Sequence, residues 1–141
     1  MTYTVTWGLN EETDDTHHAR VTDTDELDHL LDTIAATRGD GGAPFAVTIL
    51  ADDDPDAHRA LQLGIGHPDR AFVLCFGDDG GYAYEPDLPP WPEPITFDYH
   101  GEATEYGPAR TRTTPAAARE AAREYITAGH PPARTSLDPE A

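Results

Sequence analysis

Twenty-seven carboxylates, nine arginines and not one lysine give this chain of 141 residues a formal charge of −18. A small domain so charged folds against its own repulsion, so its acids must stay at the surface and its core must come from the segments that avoid them. The imbalance excludes nucleic acid and anionic membrane as partners, since both require clustered Lys and Arg. It favours a basic partner, a cation or a very salty cell. The charge is also uneven: residues 1–105 hold 23 acids and four arginines, whereas residues 106–141 hold four acids and five arginines. GC-rich coding accounts for the missing Lys, but not for the scarcity of Arg beside so much Asp. Such asymmetry speaks of a partner more than of a fold.

The apolar segments fall into two periods. Leu27, Leu30, Leu31, Ile34 and Ala35 recur at helical spacing behind Asp23 and Glu26, which read as a capping box, and Gly39 reads as the stop. Ala118, Ala121, Ala122, Tyr125 and Ile126 form a second stripe, with Thr114 as N-cap, Pro115 in the first turn and Gly129 then Pro131 at the end. Between and before them the pattern has period two. Residues 2–8 place Tyr3, Val5 and Trp7 on one face, and residues 44–51, 61–66, 71–76, 82–84, 95–99 and 103–106 are further short runs bounded by Gly and Pro. Residues 86–94 carry five prolines and exclude regular structure. The expectation is an α+β domain, a mostly antiparallel sheet of about six strands with two helices packed on one face.

Residues 1–130 read as a single domain, and residues 131–141 as a Pro-rich, loosely ordered tail; the polar, acidic stretch 10–20 also reads as loose. No basic, apolar leader opens the chain, and no apolar run approaches the ~20 residues of a membrane helix. Cys75 stands alone, which excludes a disulfide framework. These features place the chain in the cytoplasm as a soluble protein.

Several short patterns invite chemistry. His100-Gly101-Glu102 has the His-x-Glu half of a zinc deaminase site, but the downstream Pro-Cys-x-x-Cys is missing, and a β-turn carrying a surface Glu is the better reading. The seven histidines show no zinc spacing, and Cys75 sits in the most apolar run, as a small core residue does. Gly64-Ile65-Gly66 lacks the third glycine and the helix of a nucleotide loop, so a close crossing of strands or a turn is expected there. Asp52-Asp53-Asp54-x-Asp56 resembles part of a calcium loop without its Gly at the sixth place or Glu at the twelfth. No nucleophile, base and orienting group appear together, so no catalytic residue, cofactor or metal is assigned and an enzyme is disfavoured. Tyr82, Tyr84 and Trp91 lie among Asp78, Asp79, Glu85 and Asp87; aromatic anchors ringed by carboxylates suit a protein surface that meets an Arg- or Lys-rich partner.

An ordered set of motifs points further. Residues 63–74 (LGIGHPDRAFVL), residues 78–81 (DDGG), residues 97–101 (FDYHG) and residues 115–132 (PAAAREAAREYITAGHPP) together resemble the Imm1 family of immunity proteins, found in actinobacterial polymorphic toxin systems. The likeness runs from the first strand to near residue 137 and departs at Ser136-Leu137, where a Trp in a closing strand is expected. The resemblance implies a non-enzymatic antidote that protects the producing cell, encoded beside a secreted toxin that is often of deaminase fold and attacks nucleic acid. An acidic inhibitor of the same charge sign as DNA suits the basic channel of such a toxin. The expected partner is therefore a cognate toxin with a basic active-site surface, bound by a monomer that occludes that site. Asp52, Asp53, Asp54, Asp78, Asp79 and Glu85 are the candidates for charge complementarity, with Tyr84 and Trp91 as anchors. A small acidic calcium- or ligand-binding domain and a halophilic housekeeping domain remain the alternatives.

Overall fold

Both apolar stripes fold as helices. The structure, a computed structural model, describes residues 2–54, 59–77, 80–129 and 136–141. Along the chain it runs β1 (Tyr3–Asn10), β2 (Asp15–Val21), α1 (Thr24–Ala35), β3 (Phe45–Ala51), β4 (Leu61–Ile65), β5 (Phe72–Cys75), β6 (Gly81–Ala83), β7 (Ile95–Tyr99), β8 (Glu102–Tyr106), α2 (Pro115–Ala128) and β9 (Leu137–Asp138). At the start of α1 the Asp23 carboxylate accepts the Glu26 N–H at 2.8 Å, while the Glu26 carboxylate accepts from the amide and hydroxyl of Thr22. Those hydrogen bonds from Thr22 hold the Glu26 pKa below its ordinary value. The end of α1 differs from expectation. Ala36 caps it in the right-handed region and Gly39 lies beyond, because the Ala36 and Thr37 amides already reach the Asp32 and Ile34 carbonyls. For α2 the reading holds: Thr114 caps through its hydroxyl, and Gly129 closes the helix at φ 81°.

The sheet has nine strands where about six are expected, in the order β2-β1-β3-β4-β5-β6-β9, with the β7–β8 hairpin joined to β3 by one parallel bridge, Phe45 to Asp98. The acidic stretch read as loose contains β2, an edge strand paired from Tyr3↔Val21 to Trp7↔His17. Only Ala19 and Val21 at its end are apolar, and Asp15 and His17 stand on the same face before them, so no alternation betrays it. At the other edge Leu137 and Asp138, where a loose tail is expected, pair with Ala83 and Tyr82, and Leu137 packs against the core in place of the expected Trp.

One face of the sheet takes both helices. Leu27, Leu31 and Ile34 from α1 and Ala118, Ala122 and Tyr125 from α2 pack onto Val5, Val47, Ile49, Leu61 and Leu63. The Tyr125 hydroxyl accepts the Ala51 N–H, and burial pushes its pKa up to about 12. Arg123 pairs with Asp28 at 2.9 Å and Arg119 with Asp32 at 2.8 Å, tying the helices together. Under the opposite face the β7–β8 hairpin closes a second cluster of Ala46, Phe72, Phe97 and Tyr106. Gly64 permits that closure: a Cβ there would lie 2.4 Å from the Phe72 ring and 2.6 Å from Phe97. Gly64 thus admits a close approach over the sheet, and Gly66, at φ 108°, turns the chain after β4. Cys75 is buried, and desolvation raises its thiol to about 11, which suits a core residue. Among the described residues no helix is long and apolar enough to cross a membrane.

Candidate functional site

The residues singled out by charge do not gather at one place. Asp52 and Asp53 are exposed at the end of β3, where the Asp52 N–H meets the Thr2 carbonyl at the start of β1. Asp52 accepts the Thr4 hydroxyl at 2.7 Å, and Asp53 pairs with Arg59 at 3.2 Å. Asp54 is 6% exposed and accepts the Arg59 N–H at 2.8 Å, so it shapes the loop from within. Asp56, the fourth acid of the calcium-like pattern, lies outside the described residues, as do Asp78 and Asp79. Tyr84, Glu85 and Trp91 stand at the opposite end of the sheet. Glu85 accepts the N–H of Thr114, placing its charge at the positive end of α2. Tyr84 lies beneath the Arg112 guanidinium at 5.2 Å, and Trp91 beneath that of Arg70 at 5.0 Å. Both aromatic faces are half-buried and already carry a cation from their own chain.

That use of arginine is general. All eight described arginines bind within the chain: Arg20, Arg59, Arg119 and Arg123 pair with carboxylates, while Arg38, Arg70, Arg110 and Arg112 donate to carbonyls. Arg70 reaches Pro89 and Thr111, and Arg112 reaches Glu85, Pro86 and Leu88, so the proline segment is pinned by guanidinium groups. The exposed acids of β1, β2, β8 and their turns, Glu11, Glu12, Asp14, Asp15, Glu102 and Glu105, are left facing solvent.

A cleft of about 460 Å³ opens among these acids, between the β1–β2 hairpin, residues 38–41 and the β7–β8 turn. Leu9 and Phe45 form its apolar wall, and Glu11, Asp40 and Asp98 bring three carboxylates against one guanidinium, Arg38. Arg38 is fixed by the carbonyls of Ala35, Thr37 and Gly66. Asp98 is only 1% exposed and joins the walls: it accepts the Asp40 N–H at 2.6 Å and the Gly101 N–H at 2.8 Å. Asp40 in turn accepts the Ala103 N–H. The His100-Gly101 pair takes φ values of 51° and 92° in a tight turn, confirming a hairpin corner in place of a deaminase motif. Pairing slips by one residue between Trp7 and Asn10, where Gly8 takes a φ of 60°. Such a bulge re-aims the next side chain, and Leu9 emerges 39% exposed. Leu9 and Tyr99, also 39% exposed, are the exposed large hydrophobics among the described residues, and both stand at this end. Sequence reading missed the cleft, although an isolated Gly within an alternating strand and the run Gly39-Asp40-Gly41-Gly42 are its visible signs. Among the described residues no three His, Cys, Asp or Glu side chains are grouped to hold a metal ion.

His67 makes the Trp91 region sensitive to acid. Its Nδ1 accepts the N–H groups of Asp69 and Arg70 at 3.1 and 3.0 Å, and its ring meets Trp91 edge-on at 5.5 Å. Burial lowers its pKa below 6.5. The unfolded chain therefore takes up this proton first, so the contribution is complete above 6.5 and fades as pH falls through that value. Relative to His67→Asn, which keeps an acceptor that does not titrate, the native chain should lose stability on going from pH 7.5 to 5; parallel melting curves at both pH values check this.

A sequence model of one family, Immunity protein Imm1, matches residues 15–139. The chain matches no curated protein and no solved structure. The matched span reaches from the acidic edge strand to the strand that closes the sheet, so it takes in both helices and every strand but β1; Leu9 and Glu11 of the cleft precede it. The chain belongs to the Imm1 family of immunity proteins and so to the proteins that bind a cognate toxin.

Proposed function

We propose that this protein neutralises a secreted, deaminase-fold toxin that acts on nucleic acid, by docking as a monomer over the toxin's basic active site in the cytoplasm of the producing cell. The observation that carries this reading is the inward use of arginine: the eight described guanidiniums bind within the chain, while Glu11, Glu12, Asp14, Asp15, Glu102 and Glu105 face solvent at one end of the sheet. A surface of that sign attracts a basic channel over distance and repels competing nucleic acid. Asp52 and Asp53, with Asp78 and Asp79, contribute to the long-range attraction, whereas Asp54 and Glu85 act through the fold. Tyr84 and Trp91 serve as contacts only along the edges that Arg112 and Arg70 leave open. Mixing the protein with the catalytic domain of its toxin should abolish toxin activity at one-to-one stoichiometry. Full activity in the presence of an excess of protein would refute the reading.

A further inference from the structure

We infer that the cleft bounded by Leu9, Glu11, Asp40, Phe45 and Asp98 receives a lysine or arginine side chain of the toxin, with Leu9 and Tyr99 as the apolar anchors beside it; this deepens the proposed function and rests on it. Three features of the fold converge on that occupant. The lining carries three carboxylates and one guanidinium, and the guanidinium is immobilised by three main-chain carbonyls. The Leu9 and Phe45 wall suits the methylene stem of a long cationic side chain, whose charged head then reaches Glu11 and Asp40 at the rim. The bulge at Gly8 turns Leu9 outward, and Tyr99 at the hairpin tip stacks on His100 at 4.2 Å, so an apolar surface flanks a charged recess. Central apolar anchors beside a paired charge are how protein interfaces concentrate affinity.

The recess is also pre-formed. Asp98 bonds both the 39–41 turn and the β7–β8 turn, and a Cβ at Gly39 would lie 2.3 Å from its carboxylate, so the two walls are locked at one separation. A Cβ at Gly101 would lie 2.6 Å from Leu9, so the hairpin corner and the bulge fit only through glycine. A partner side chain entering such a recess has little ordering to impose on it.

Binding of the toxin's catalytic domain, measured by surface plasmon resonance, tests the assignment. Glu11 and Leu9 are exposed, so Glu11→Lys and Leu9→Ser should fold normally. Each should weaken binding at least tenfold. Glu93→Lys makes the same charge change at an exposed site preceding β7, at the other end of that strand from Tyr99, and should weaken binding less than threefold. Hydrogen exchange of the native complex gives a second readout, independent of any variant: amides of residues 8–17, 38–42 and 98–103 should gain protection. Equal binding by Glu11→Lys, Leu9→Ser and the native chain, or protection confined to other segments, would overturn the cleft assignment and leave neutralisation intact. Failure of the native chain to bind would overturn both.

Discussion

Asp98→Ala should lower the unfolding free energy by about 3–6 kcal/mol, since a hydrogen bond to a charged group is worth roughly 1.5–3 kcal/mol and two are lost. The Asp98 carboxylate accepts from Asp40 and Gly101, and its own amide donates to Pro44 at 2.7 Å. Asp98 is 1% exposed, and removing its side chain leaves two part-buried amides without their acceptor. Asp98→Asn keeps one carbonyl acceptor and should cost about half as much. Urea denaturation measures both, and hydrogen exchange should show faster opening of residues 38–42 and 100–103 even before global unfolding. A loss below about 1 kcal/mol for the alanine variant would mean that these bonds do not hold the cleft walls together.

Phe72→Ala should be comparably costly, about 3–5 kcal/mol, the range for removing a buried aromatic ring. The Phe72 ring stacks on Tyr106 at 4.2 Å and meets Phe97 edge-on at 5.1 Å, and all three are buried between the sheet and the β7–β8 hairpin. Its loss leaves a cavity directly against Gly64, whose absent Cβ would lie 2.4 Å from the ring. The two positions are therefore coupled. Gly64→Ala in the native background should destabilise by overpacking against both rings, whereas in the Phe72→Ala background only the approach to Phe97 remains, so the combined loss should be smaller than the sum of the two. Simple additivity of the two substitutions would show that the Phe72 ring does not pack on this glycine.

The elements that proved legible in the sequence were those whose burial is one-sided. The α1 and α2 stripes, the caps at Asp23 and Thr114 and the Gly129 stop all appear as read, because each is a local signal that packing against a sheet reinforces. The strand β2 was hidden because its apolar residues are confined to Ala19 and Val21 at one end, and β9 because two residues make no period. The charge bias by itself locates no contact. Asp54 and Glu85 look like surface acids in the sequence, yet one is buried beneath Arg59 and the other stands over the first turn of α2. In contrast, the cleft unites residues near positions 9, 40 and 98 through long-range pairing of β1, β3 and β7, and no local pattern announces such a meeting. The one clue, Gly8 within an alternating strand, signals a bulge but not what the bulge presents.

The proposed steering of an acidic surface toward a basic toxin makes a single kinetic quantity decisive: the association rate constant of the native chain with its toxin's catalytic domain as a function of ionic strength. Steered association should fall at least roughly tenfold between about 50 and 500 mM salt, because the Debye length shrinks to a few ångströms over that range. An association rate that stays constant across the same range would contradict the claim that the uncompensated carboxylates guide this protein to its toxin.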